Sequence, residues 1–260
     1  MQRPAEVLVS ADAIAARPAP LRSDATPARS DATPVPARSD ATPALGRRAA
    51  AELLGTAFLL AVVVGSGIMA ERLFPESVGL ALLANAVATG AGLAALILTF
   101  ADLSGAHFNP AVTLVEALLG ARPWREVGAY IPAQLAGAIL GTWITHAIFA
   151  LPVTQLSRHA RGGLPLMGSE VVATFGLILV ILGVARRRAD AVPYAVGGYI
   201  LAAYWFTPST SFANPAVTLA RALTDTFAGI RPADVPGFVL AQLVGAALAV
   251  TTTRWLRPAA

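Results

Sequence analysis

Two asparagine-proline steps and two glutamates are the residues of this chain whose types and setting carry chemistry. The string Asn-Pro-Ala-Val-Thr-Leu occurs at Asn109 to Leu114 and again at Asn214 to Leu219, each time beside long apolar segments. Asparagine is a strong helix N-cap, and proline at the first helical position gives up only a donor that has no intrahelical partner. Both strings therefore predict helix starts. A helix that opens at membrane depth breaks the backbone ladder, which a bilayer tolerates only where protein or a water-filled cavity surrounds the break. An asparagine there caps its helix with its side-chain oxygen and keeps its NH2 group as a donor toward the lumen. Each helix start also carries the equivalent of roughly +0.5 charge, so two facing one constriction oppose cations and protons and favour neutral, hydrogen-bonding solutes. Glu52 and Glu170 fall within apolar stretches, where an ionisable side chain is costly and by default functional. Two readings of them follow: a proton relay, or acceptors that satisfy irregular backbone.

The elements that must position these residues are membrane helices. Of the 260 residues 56% are hydrophobic and only 13% charged, which excludes an ordinary soluble domain. The 19 basic residues are all arginine, scattered over tail and loop positions without aromatic interleaving, so nucleic acid is not an expected partner. With no cysteine and three well-separated histidines, neither a disulfide nor a metal centre is expected. No cofactor motif, nucleotide-binding glycine loop or nucleophile with a base appears, so no cofactor and no enzymatic activity are expected. Six segments approach the ~20 residues a helix needs to span a bilayer, at about 49–71, 79–101, 124–149, 168–186, 191–208 and 233–255. The Asn-Pro strings fall between the second and third and between the fifth and sixth. The helices they open, about ten residues each, are too short to cross and read as half-helices dipping in from opposite faces.

The two halves correspond beyond that string. Glu52-Leu53-Leu54-Gly55-Thr56-Ala57-Phe58 parallels Glu170-Val171-Val172-Ala173-Thr174-Phe175, and Ala133-Gln134-Leu135-Ala136-Gly137-Ala138 parallels Ala241-Gln242-Leu243-Val244-Gly245-Ala246. Three spans per half is an odd number, so the second copy inserts upside down and the half-helices meet head to head. The domain reading is a disordered, low-complexity tail over 1–47, a first half-repeat over 48–158 and a second over 159–260. The tail holds three copies of Arg-Ser-Asp-Ala-Thr-Pro and lacks the continuous apolar core of a signal peptide. Arginines concentrate on one side of the spans, among them Arg47, Arg48, Arg122, Arg125, Arg186 to Arg188, Arg254 and Arg257, which places both termini in the cytoplasm. Small residues inside the spans, such as Gly55, Gly90, Gly137, Gly141 and Gly197, suit close helix packing in lipid.

The run Ser104-Gly105-Ala106-His107-Phe108-Asn109-Pro110-Ala111-Val112-Thr113, the second Asn214-Pro215-Ala216, the paired glutamates and the six spans resemble the aquaporin and aquaglyceroporin family over about residues 48–258. The resemblance implies an all-α membrane fold with an inverted repeat, six transmembrane helices and two re-entrant half-helices. It also implies a homotetramer in the cell membrane, the inner membrane in a bacterium, with one pore per subunit. Glu52, Glu170 and His107 become braces of the re-entrant loops. His146 and His159 are left as structural or exposed.

One departure from the family carries the functional expectation. Most members follow the second Asn-Pro-Ala with an arginine that narrows the outer constriction and adds charge; here that position is Val217. Family spacing puts the other filter positions at Thr89, Ala202 and Ser211, with Ala202 fixed to within a residue or so. The quartet is small and uncharged, so the filter is expected to be wide. It should pass water and small neutral solutes: glycerol and other polyols, urea, metalloid hydroxides such as arsenous acid, and methylated arsenicals that arginine would reject. Arg221, one helical turn beyond Val217, reads either as a displaced charge at the outer mouth or as a lipid-facing rim arginine. Tyr199, Tyr204, Trp205 and Phe206 read as interfacial aromatics that could also narrow the vestibule. An ion-coupled transporter with inverted repeats and a poorly conducting junction protein are the competing readings.

Overall fold

The computed structural model describes residues 42–256 and is helical throughout its regular structure. The predicted tail lies outside the described residues up to residue 41, as does Arg257. Residues 45–47, read from sequence as tail, are instead the first turn of helix α1, Leu45–Leu73. The remaining helices are α2 (Val78–Ser104), α3 (Pro110–Leu118), α4 (Trp124–Ile148), α5 (Leu164–Ala185), α6 (Val192–Phe206), α7 (Pro215–Arg221) and α8 (Val235–Leu256).

Among the described residues five helices are long and apolar enough to cross a bilayer: α1, α2, α4, α5 and α8. The fifth predicted span, α6, is shorter, with 15 residues behind a single 3-10 turn at Ala189–Ala191. Local chemistry sets the boundaries. Ser77 caps α2 by accepting from the Leu80 N–H, and α2 stops at Gly105, whose φ of 94° is the left-handed conformation that ends a helix. The half-helices begin as expected, with Asn109 and Asn214 as N-caps and Pro110 and Pro215 at the first helical position. Their lengths are 9 and 7 residues, too short to span.

The packing repeats between halves. As α1 packs on α2 and α4, so α5 packs on α6 and α8, and each half-helix reaches the last helix of both halves: α3 touches α4 and α8, α7 touches α8 and α4. The halves meet most broadly along α2 and α6, where Gly90 and Gly197 lie against each other's carbonyls; a Cβ on Gly90 would come within 2.8 Å of the Gly197 oxygen. On α4, Gly137 and Gly141 back onto the Leu53 and Ala57 carbonyls of α1, too close for any side chain. Without a hydrophobic drive between helices in lipid, such close backbone approach is the main source of association. Side chains such as Leu54, Phe58, Val87, Leu98, Ile144, Val172 and Leu248 point outward and are exposed, an apolar belt suited to acyl chains.

Candidate pore

The two re-entrant loops share one conformation. Gly105, Ala106 and Phe108 have φ of 94°, 51° and 49°, and their counterparts Thr210, Ser211 and Ala213 have 62°, 49° and 48°. A left-handed residue other than glycine costs on the order of 1–3 kcal/mol, so something must hold five such residues in place. The two glutamates lie at that point. Glu52 Oε1 accepts from the Ser104 hydroxyl (2.6 Å) and the His107 N–H (3.0 Å), and its Oε2 accepts from the Phe108 N–H (2.7 Å) and Gln134 Nε2 (2.8 Å). Glu170 accepts from the Phe212 N–H (2.9 Å), the Ala213 N–H (2.8 Å) and Gln242 Nε2 (2.7 Å). Both carboxylates are fully buried. Gln134 also donates to Thr113 Oγ1 and Gln242 to Thr218 Oγ1, so each glutamine ties a carboxylate to its half-helix. These glutamines had no role in the sequence reading; their signal was the repeated Ala-Gln-Leu-x-Gly-Ala.

The half-helices meet head to head. Asn109 Oδ1 accepts from the Ala111 N–H (2.9 Å) while its Nδ2 donates to the Ala213 carbonyl (2.8 Å). Asn214 mirrors this, its oxygen accepting from the Ala216 N–H (2.9 Å) and its Nδ2 donating to the Phe108 carbonyl (2.7 Å). The expectation of a wholly free NH2 group is thereby corrected. One hydrogen of each amide locks the opposite loop, and the second remains for the lumen. Ala111 and Ala216 are fully buried behind the asparagines.

A cavity of about 230 Å³ runs past both asparagines, with Glu116 and Arg122 at one end and Arg221 at the other. Thr89, Ser211 and Val217 line it. Ala202 does not. The inward face of α6 repeats every four residues through Val192, Val196, Ile200 and Tyr204, and Ala202 lies on the opposite, exposed face. Tyr204, two residues further along α6, lines the cavity instead, its hydroxyl reaching to 3.3 Å from Thr89 Oγ1. The wall therefore includes an aromatic ring that a count back from Asn214 does not find, because that count crosses an irregular loop. His107 lines the other end, its Nδ1 3.0 Å from Thr113 Oγ1 and its ring edge-on to Tyr130. His146 is structural, joining the Val153 carbonyl and Thr224 Oγ1, both at 2.8 Å. His159 accepts at its carbonyl from the Arg231 N–H.

Arg221 is 2% exposed and lines the cavity, so it is not a rim arginine. Its Nε donates to the Ala228 carbonyl and its guanidinium lies 3.4 Å over the Phe212 ring. Outside the spans, the Asp225 carboxyl is held below its ordinary value by the Arg158 N–H and guanidinium, clipping the loop after α7 to the loop after α4. Among the described residues no group of histidine and acidic side chains could hold a metal ion.

Two capped half-helices in inverted halves, around a cavity with a largely apolar wall and a few polar groups at the asparagines and its ends, inside an apolar helical shell, define a pore-forming membrane protein. Residues 40–207 match the major intrinsic protein family, and the chain belongs to that family. It is 56% identical over 206 residues to the aquaglyceroporin AqpS of Rhizobium meliloti, covering 79% of this chain and 88% of that one. It is 36% identical to the aquaporin NIP1-1 of Zea mays (66% and 63% covered) and 30% identical to the glycerol uptake facilitator protein of Bacillus subtilis (68% and 70%). The fold is also that of the aquaglyceroporin of Plasmodium falciparum, with a TM-score of 0.64 over 81% of this chain and 96% of that one at 22% identity.

Proposed function

We propose that the protein is a passive channel for small neutral solutes, glycerol and other polyols, urea and metalloid hydroxides such as arsenous acid, with water as a further permeant. The observation that carries this reading is Val217 in the cavity wall, where an arginine would narrow the lumen. Thr89 and Ser211 add hydroxyls suited to a hydrogen-bonding solute without adding bulk. The relatives named for glycerol uptake and aquaglyceroporin activity support the solute class. Glu52, Glu170 and His107 act as braces: both oxygens of each glutamate accept from loop amides or side chains, four donors at Glu52 and three at Glu170, which suits a fixed wall better than a proton relay. The arginine distribution supports cytoplasmic termini in the cell membrane, and the outward apolar belt suits lipid and a homotetramer of like subunits.

The test is Val217→Arg in proteoliposomes. Glycerol and arsenous acid uptake are expected to fall several-fold more than osmotic water flux. An unchanged profile would remove Val217 as the determinant of width.

A further inference from the structure

Resting on the channel reading above, we infer that the pore's charged selectivity element has been moved outward rather than lost, with Arg221 as its cation barrier and Tyr204 as its aromatic wall. Both side chains line the cavity, and both lie beyond the counted filter positions along helices that run toward the same mouth. Arg221 follows Val217 by four residues and Tyr204 follows Ala202 by two, shifts of roughly 6 and 3 Å at about 1.5 Å per residue.

The guanidinium is held and unneutralised. The Ala228 carbonyl fixes its Nε, and the Phe212 ring, itself packed edge-on against Phe238, supports its face. Its terminal nitrogens hydrogen-bond to no described residue, and among the described residues no carboxylate lies within ion-pair distance of it. A second cation stands close by: Arg161, its guanidinium 5.3 Å from the same Phe212 ring and its Nε bonded to the Gly229 carbonyl. Beside them the Ser211 hydroxyl is buried without a partner in the cavity wall. Free guanidinium donors and an orphan hydroxyl suit oxygen-bearing neutral solutes and oppose cations.

The repeat shows that this charge is particular to the outer end. Arg221 stands seven residues past Asn214, and seven residues past Asn109 the same cavity is lined by Glu116. At that end Arg122 also lines the cavity, so an acid offsets the arginine there, whereas Arg221 has no carboxylate within ion-pair distance among the described residues, and the barrier to cations falls at one mouth. A unit charge a few ångströms from the solute path, at an effective dielectric of about 20, is enough to slow a cation by about tenfold or more.

Urea and guanidinium ion, nearly isosteric and differing in charge, are the probes. In proteoliposomes the wild type is expected to take up urea and exclude guanidinium. Arg221→Gln should raise the guanidinium-to-urea flux ratio about tenfold or more, while Arg221→Lys should not. Val217→Glu, one turn before Arg221 and able to pair with it, should raise the ratio while leaving Arg221 on Phe212 and Ala228. Adding Val217→Arg to Arg221→Gln should restore exclusion, which a merely structural role for Arg221 would not produce. An unchanged ratio in Val217→Glu and in folded Arg221→Gln would overturn the inference and leave the barrier to Arg161 or the half-helix starts. A wild type passing neither urea nor glycerol faster than protein-free vesicles would overturn the channel reading beneath it.

Discussion

Glu52 collects four donors within 3.0 Å, and glutamine in its place could accept only at one oxygen. Its NH2 group would confront donors already committed to that point. Leaving two of them unpaired costs about 1–3 kcal/mol each, so Glu52→Gln and Glu170→Gln are expected to lower the unfolding midpoint in a detergent titration and to abolish flux together. A relay would behave differently, retaining the fold while losing the pH dependence of transport. At this scale the sequence was largely legible: the Asn-Pro steps and the intramembrane glutamates declare themselves by chemistry that lipid cannot otherwise tolerate. What stayed hidden was the second use of each asparagine amide, as the lock on the opposite loop, since Asn109 and Ala213 are brought together only by the inverted repeat.

Among the elements, α1 and α4 approach until the Gly137 Cα meets the Leu53 backbone, leaving no room for a Cβ. Gly137→Val is therefore expected to separate the pair and destabilise by about 1–3 kcal/mol or more. Gly128→Ala, on the same helix but with nothing within 4 Å, should fall within about 0.5 kcal/mol of wild type or gain slightly. Thermal unfolding in detergent separates the two. The half-helix caps make a further expectation: Asn214→Ala removes both the α7 cap and the bond to Phe108, so it should cost more than the ~0.5–2 kcal/mol of an ordinary cap. Helix existence was readable from apolar length, but helix phase was not. Ala202 was placed by counting across residues 207–213, whose left-handed conformations no count can anticipate, and the register of α6 put Tyr204 inward instead.

At the level of the whole molecule, the chain is a duplicated unit turned over on itself, with near-identical loop geometry and one end of the cavity that differs from the other. The repeated string made the inversion legible, because an odd number of spans per half forces it. The charge asymmetry between Arg221 and Glu116 was not, since it depends on both side chains facing one cavity. The central claim is that this cavity conducts solutes larger than water. Stopped-flow light scattering on proteoliposomes of the wild type, comparing osmotic shrinkage with glycerol and arsenous acid uptake, tests it most directly. The account predicts solute entry well above that of protein-free vesicles. Rapid water flux with solute entry no faster than in empty vesicles would contradict it, placing the limiting constriction at Tyr204 rather than opening the pore at Val217.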